Sequence, residues 1–196
     1  MGAPVADLQK LGLKLFTADG VAVAPREFVP IFHRWIQGGA LSDLLLVDIA
    51  DYEHVPEGPG VVLVAHDGNF SVDLGGGRMG LLYTRKQPAA GDLAARLHSL
   101  AKTVLGACQL LESDPALAGR MRFRGDRLQL IANDRLLAPN DAATLATLRP
   151  AVDALLTTLY GDGSCTVQHD PDPRQRLTLS VQAPHPVSVA DLLQRL

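Results

Sequence analysis

The stretch that decides the fold is residues 44–86, which reads LLLVDIADYEHVPEGPGVVLVAHDGNFSVDLGGGRMGLLYTRK. Short runs of valine, leucine and isoleucine are broken here by segments rich in proline and glycine. Such runs are typical of β-strands joined by tight turns. Residues 44–54 and 60–73 are therefore predicted to pair as a hairpin about the EGPG bend at residues 57–60. The segment after residue 78 is predicted to add a third antiparallel strand.

The helices are predicted from apolar side chains that recur every three or four residues. The longest helix begins after Asp92, which is a suitable N-cap, and continues for about five turns. Its apolar stripe consists of Leu93, Leu97, Leu100, Val104, Cys108 and Leu111. An earlier helix is predicted from Pro25 to Gly38, with Phe28, Ile31, Phe32 and Trp35 on its apolar face.

Two more helices follow in the second half of the chain. One begins at Asn140 or Asp141 and ends before Gly161, and Pro150 is expected to kink it or divide it in two. The last one starts at Ser188, which has Asp191 at the spacing of a capping box. The sequence thus predicts an α+β protein with a largely antiparallel sheet and about four helices.

The two halves of the chain share an order of features. A strand, Ala-Pro, a helix, glycine, serine, a strand, a proline-rich turn and a second strand recur at an offset of 114 to 122 residues. This order predicts two βαββ-type pseudo-repeats, in residues 1–88 and 89–196. The alternative is one compact domain with the regular alternation that any α+β protein shows, because few identities accompany the repeat.

Composition limits the classes of function. The 196 residues carry a net charge of −3, and 20% of them are charged, which is ordinary for a globular protein and argues against nucleic acid as a partner. Cys108 and Cys165 form no metal-type or disulfide-type pattern, so a reducing cytoplasm is expected and no cofactor is predicted. No apolar run approaches the roughly 18 residues of a membrane helix, and no signal peptide is expected.

The densest group of polar residues lies on the predicted hairpin. Asp48, Asp51 and His54 lie on one arm, and His66 and Asp67 lie on the other. Pairing about the EGPG bend places Asp48 opposite His66 or Asp67, and the apolar flanks of Asp48 predict burial with a polar partner. These residues are candidate acid/base groups, and Asp48, His54 and His66 are candidate metal ligands. The alternative is that charged residues collect at hairpin ends because those ends face water.

A second candidate is the row of Arg120, Arg122 and Arg124. On a strand, alternation would place all three guanidinium groups on one face, where they could bind a phosphate, a carboxylate or an acidic protein surface. The alternative is a solvated outer face of the sheet. His33 and Trp35 on the first helix are further candidate ligand contacts. Gly75 to Gly77 fit a hairpin turn better than a phosphate loop, because no helix start follows them.

These observations favour a non-catalytic module over an enzyme. We expect it to bind a small acidic ligand or a protein partner, and to form a homo-oligomer through unpaired sheet edges. The alternative is a metal-assisted or acid/base enzyme that uses Asp48, His54, His66 and Asp67. No membrane partner is expected.

Overall fold

A computed structural model describes residues 5–55, 58–163 and 165–196. Within these ranges the chain forms four α-helices and eight strands. The helices are α1 (Phe28–Gly38), α2 (Leu93–Ser113), α3 (Ala142–Tyr160) and α4 (Val189–Gln194). The strands are β1 (Leu11–Thr17), β2 (Leu46–Asp51), β3 (Val61–Ala65), β4 (Gly68–Asp73), β5 (Gly80–Arg85), β6 (Phe123–Ala132), β7 (Thr166–His169) and β8 (Thr178–Gln182).

All eight strands join one antiparallel sheet, in the order β2-β3-β4-β5-β1-β6-β8-β7. The predicted α+β class with a largely antiparallel sheet is therefore confirmed. Strand β1 lies between β5 and β6, so the sheet is continuous from residues before 88 to residues after 89. Whether the halves arose by duplication stays a prediction.

The hydrophobic core lies between one face of the sheet and the helices. Leu11, Leu13 and Leu15 of β1 point into it, because alternate residues of a strand share a face. Helix α2 packs on β1 and β5 and also contacts α3 and α4, while α1 packs on β2 and β3. Every residue of the predicted α2 stripe is buried, as are the four apolar residues predicted for α1.

Helix ends follow the predicted caps. The carboxylate of Asp92 accepts the Ala95 N–H at 2.8 Å, and that of Asp141 accepts the Thr144 N–H at 2.7 Å. The Ser188 hydroxyl accepts the Asp191 N–H at 3.0 Å. Each cap satisfies a backbone donor that the first turn of a helix leaves unpaired.

Helix α3 runs through Pro150 without division. Pro150 lies on the exposed side of the helix, as does Ala146 four residues earlier. The carbonyl of Ala146, which loses its helical partner at a proline, can therefore bind water. The expected division is wrong, because the apolar residues on the opposite side of α3 remain packed in the core, and the expected kink stays a prediction.

The predicted meander has four strands instead of three. Residues 60–73 contain a turn at His66 and Asp67, which separates β3 from β4. Strand β3 therefore pairs with β2 over residues 61–65 only, and Asp48 lies opposite Val64. The expected pairing of Asp48 with His66 or Asp67 is wrong for this reason. The predicted EGPG bend includes Glu57, which lies outside the described residues.

The alternate positions of the strands point away from the core and are mostly polar. Lys14 of β1 is a charged residue on this face that is nevertheless buried, since its side chain is only 1% exposed. Its ammonium group donates to Asp73 Oδ2 at 2.6 Å and to the Arg78 carbonyl at 2.8 Å. The loop between β4 and β5 is thus tied over the middle of the sheet. In the described part of the chain no helix is both long enough and apolar enough to cross a membrane.

A candidate anion-binding cleft

The five residues of the predicted hairpin cluster are spread along the β2–β3 hairpin and its neighbour. Asp48 and Asp51 are exposed on β2, and His54 is exposed in the segment that follows β2. His66 and Asp67 form the turn at the other end of β3. Five residues of strand separate the two ends by about 16 Å. The structure therefore does not gather the five side chains at one place.

Asp48 is exposed on the outermost strand of the sheet, so its predicted burial is wrong. The flanking Leu45 and Val47 are themselves exposed and do not enclose it. Its Oδ1 accepts the backbone N–H of the next residue, Ile49, at 2.8 Å. Exposure also removes the desolvation that would have required a buried partner.

The candidate metal ligands Asp48, His54 and His66 share no site. Among the residues that the structure describes, no three His, Cys, Asp or Glu side chains are placed to hold a metal ion. Acid/base chemistry on this hairpin stays a prediction. The candidate groups do not line a common pocket in the described structure.

The arginine row is held by partners within the protein. Arg120 forms an ion pair with Glu27 at 2.6 Å, and Arg124 forms one with Asp126 at 2.7 Å. Arg122 donates to the carbonyl groups of Met121 and Glu112. The Asp126 carboxylate also accepts from Gln182, and the hydrogen bond from Arg124 holds the pKa of Asp126 below its usual value. The row thus ties the start of β6 to distant parts of the chain.

The other two candidate contacts differ in exposure. Trp35 is buried in the core against Phe32, with ring centroids 5.3 Å apart, whereas His33 is exposed on the outer side of α1. Cys108 is also buried in the core, and burial raises the pKa of its thiol well above the ordinary value. Burial raises the pKa of the partly buried Cys165 as well.

A cleft of about 720 Å³ lies beside the middle of α2. The end of β5 and the turn after β3 form one wall, and α2 forms the second. The loop that precedes β2 forms the third, and Leu193 of α4 also contributes. The polar groups that line it are Ser42, Asp43, Asp67, Tyr83, Arg85, His98, Ser99, Lys102, Thr103 and Gln109. Asp67 is the one member of the predicted hairpin cluster that reaches this cleft.

Arg85, the last residue of β5, carries the unusual feature of the cleft. Its Nη2 donates to the Ser99 hydroxyl at 3.1 Å. Its Nε is buried, and within the described ranges it has no hydrogen-bond partner. No carboxylate in those ranges forms an ion pair with Arg85, although seven other Lys and Arg side chains have such a partner. Burying a guanidinium donor without an acceptor costs free energy, so an acceptor at this point would stabilise the cleft.

Helix α2 adds further donors beside Arg85. Ser99 and Lys102 are three residues apart, and His98 precedes Lys102 by four, so all three lie on one side of the helix. Lys102 is exposed, and the ring of His98 already bonds to the Leu196 backbone oxygen at 2.9 Å. The cleft therefore offers two cationic groups and a hydroxyl over a short length.

Two carboxylates flank the cationic side of the cleft. Asp67 is held by its own backbone, because its carbonyl accepts the N–H groups of Lys86 and Gln87. Asp43 lies in the loop on the opposite wall. Burial raises the pKa of Tyr83, an effect that Arg85 opposes and Asp67 reinforces, so both charges act on the same buried phenol. The lining of the cleft thus combines charges of both signs with a buried phenol.

The sequence held one signal for this cleft. His98, Lys102 and Gln109 recur at helical spacing on the side of α2 that adjoins the apolar stripe, which indicates a polar line beside the core. Nothing in the sequence connected this line to Arg85, because β5 and α2 meet only through the fold. Comparison of the chain with protein-family models, with curated proteins and with solved structures gives no match.

Proposed function

We propose that the protein is a non-catalytic binding module that holds a small ligand through an anionic group in the cleft beside α2. The observation that carries this proposal is Arg85, whose buried Nε has no acceptor in the described structure. A carboxylate or phosphate oxygen is the natural acceptor, because a guanidinium group binds such oxygens in a fixed, two-pronged geometry.

Two neighbours of Arg85, Ser99 and Lys102, favour an anionic group over a neutral one, although Asp43 and Asp67 also line the cleft. The Ser99 hydroxyl is held beside the guanidinium and has a lone pair and a proton to orient, and Lys102 adds a second positive charge at the mouth. A volume of about 720 Å³ suits a small organic molecule. Leu41, Leu44 and Leu110 line the rest, so the ligand would carry an apolar part as well.

The test is thermal unfolding and titration calorimetry with two probes, inorganic phosphate and a short aliphatic dicarboxylate. Ligand at about a hundred times its dissociation constant should raise the melting temperature by about 5–10 °C in a chain of this size. The two probes distinguish phosphate from carboxylate as the recognised group.

Arg85→Met separates binding from folding. It keeps an unbranched apolar side chain and removes the unsatisfied Nε donor, so the free protein should unfold at nearly the same temperature while the ligand shift disappears. Arg85→Lys keeps the charge but loses the two-pronged geometry, and it should recover only part of the shift. The matched control is Arg149→Met, which removes a guanidinium from the surface of α3.

The proposal fails if Arg85→Met responds to both probes as the parent does, or if neither probe binds the parent. A cytoplasmic location and a homo-oligomeric state accompany this proposal as predictions from the sequence. Light scattering on the purified chain measures the oligomeric state directly.

A further inference from the structure

Exposed apolar side chains are concentrated at one edge of the sheet. Leu45 is 66% exposed, Val47 57%, Tyr52 43% and Val55 40%. These are four of the six large apolar residues that are exposed in the described chain, and all lie on β2 or beside it. We name residues 43–55 the β2 edge strip. Exposed apolar side chains concentrated in one segment of the surface are typical of a protein interaction site.

The charges of the strip define what can cover it. Asp43, Asp48, Asp51 and Glu53 are all exposed, and none of them forms an ion pair within the described residues. The strip belongs to a longer acidic segment, since residues 35–77 contain seven aspartate and glutamate residues and no lysine or arginine. A partner must therefore bring positive charge as well as apolar side chains.

The backbone of β2 argues against simple strand addition. Tyr52 donates its N–H inward to the Gly60 carbonyl at 3.0 Å, so alternation places the Ile49 N–H on the free edge of the sheet. The Asp48 carboxylate already accepts that N–H. Residues 46 and 48 also flank a shift of register, which bends the edge. Both features are ways in which proteins block pairing at a sheet edge.

A second copy of this chain is a poor occupant for the same reasons. Self-pairing of β2 would place the acidic side chains of one strip against those of the other and would displace Asp48 from Ile49. We infer that the β2 edge strip docks a basic, apolar segment of a partner protein. The aliphatic side chains of that segment would cover Leu45 and Val47, and its lysine or arginine residues would face Asp48, Asp51 and Glu53.

The test uses the whole chain and three short synthetic peptides. In the first, lysine alternates with leucine and valine. The second has glutamate at every lysine position, and the third has serine at every apolar position. Titration calorimetry gives affinity, and amide NMR shifts locate the site. Only the first peptide should bind, and its shifts should fall within residues 43–55.

Two variants separate the contribution of apolar contact to peptide binding from the contribution of charge. Leu45→Ser with Val47→Ser should weaken binding about tenfold through the loss of apolar contact. Asp48→Asn with Asp51→Asn and Glu53→Gln should weaken it about tenfold at low salt, with a flatter salt dependence than the parent shows. Asp43 is left unchanged because it also lines the cleft. Leu136→Ser and Asp162→Asn remove an exposed leucine and an exposed aspartate elsewhere, and they should bind as the parent does.

Four results overturn the inference: no peptide binds, the glutamate peptide binds equally well, the strip variants bind as the parent does, or the shifts lie outside the strip. A concentration-dependent shift of the strip amides without peptide would show that a second copy is the occupant, which also overturns it. The charge variant keeps Leu45 and Val47, so it provides a test even if the serine variant folds poorly.

Discussion

Arg124 at the start of β6 and Arg85 at the end of β5 differ in what surrounds the charge. Arg124 forms ion pairs with Asp126 at 2.7 Å and Asp19 at 3.3 Å, whereas the side chain of Arg85 forms a hydrogen bond only to the Ser99 hydroxyl among described residues. The first arrangement is complete within the chain and the second lacks an anion. Whether an arginine can bind a ligand therefore depends on which carboxylates the fold places beside it. A row of arginines in the sequence does not show where those carboxylates lie.

The largest effect is expected at Asp126, whose carboxylate accepts from two other side chains. Asp126→Ala leaves Arg124 and Gln182 without their shared acceptor beside a largely buried position. It should lower the free energy of unfolding by about 3 kcal/mol, as measured by urea titration. Asp153→Ala on the surface of α3 breaks an exposed pair with Arg149 and is the control, with a much smaller loss. Equal losses in both would mean that Arg124 is not held in the way described.

Lys14 is a second cation whose partners all lie within the chain, and it lies on the face of the sheet opposite the core. Lys14→Met leaves Asp73 and the Arg78 carbonyl without their donor, and it should cost about 2 kcal/mol of unfolding free energy. Adding Asp73→Asn should recover part of that loss, because the uncompensated charge is gone. A double variant that is no more stable than Lys14→Met would contradict the pairing argument.

Acid should weaken the internally paired region selectively. The hydrogen bond from Arg124 lowers the pKa of Asp126 in the folded state below its ordinary value of 3.8, so this carboxylate stabilises the fold fully above that value. The stabilisation is lost as the pH falls through the lowered pKa. The difference in stability between the parent and Asp126→Asn should therefore narrow as the pH falls below about 4. If the difference in stability between the two proteins stayed constant down to the pH of acid unfolding, protonation of Asp126 would not be linked to folding.

The smallest effect is expected at the exposed end of the arginine row. Arg120 is paired with Glu27, and both side chains are well exposed to water. Arg120→Ala should shift the melting temperature only slightly, since exposed ion pairs contribute little. It should also leave the response to phosphate and dicarboxylate unchanged, which distinguishes it from Arg85→Met. If Arg120→Ala no longer responded to the ligands, the binding site would lie at the arginine row and not in the cleft beside α2.

The sequence predicts the helices well because their signals are local. The stripe of α2 and its cap at Asp92 can be identified within a few turns of chain, and the structure confirms both. The turn at His66 and Asp67 was missed because residues 60–73 form one β-rich run in which only Asp-Gly at 67–68 marks a turn. The register of the β2–β3 pair depends on that turn. Missing the turn therefore placed the expected partner of Asp48 two or three residues beyond Val64, its actual partner.

The candidate site was less accessible to sequence analysis because its parts are joined only by tertiary contacts. Arg120 finds Glu27 across 93 residues of chain, and Arg124 finds Asp19 across 105. No spacing rule connects such partners. Arg85 was considered only as a possible partner of Asp48, and not as a ligand contact, since an unpaired charge can be recognised only after all the neighbouring carboxylates have been placed.

The position of β1 in the middle of the sheet also affects how the chain can be assembled during synthesis. One edge of β1 pairs with β5, but its other edge waits for β6, whose residues 123–132 leave the ribosome much later. A nascent chain that stops near residue 88 would expose the unpaired backbone of β1 along a row of leucines. We therefore expect truncated N-terminal fragments to aggregate through this unpaired edge of β1.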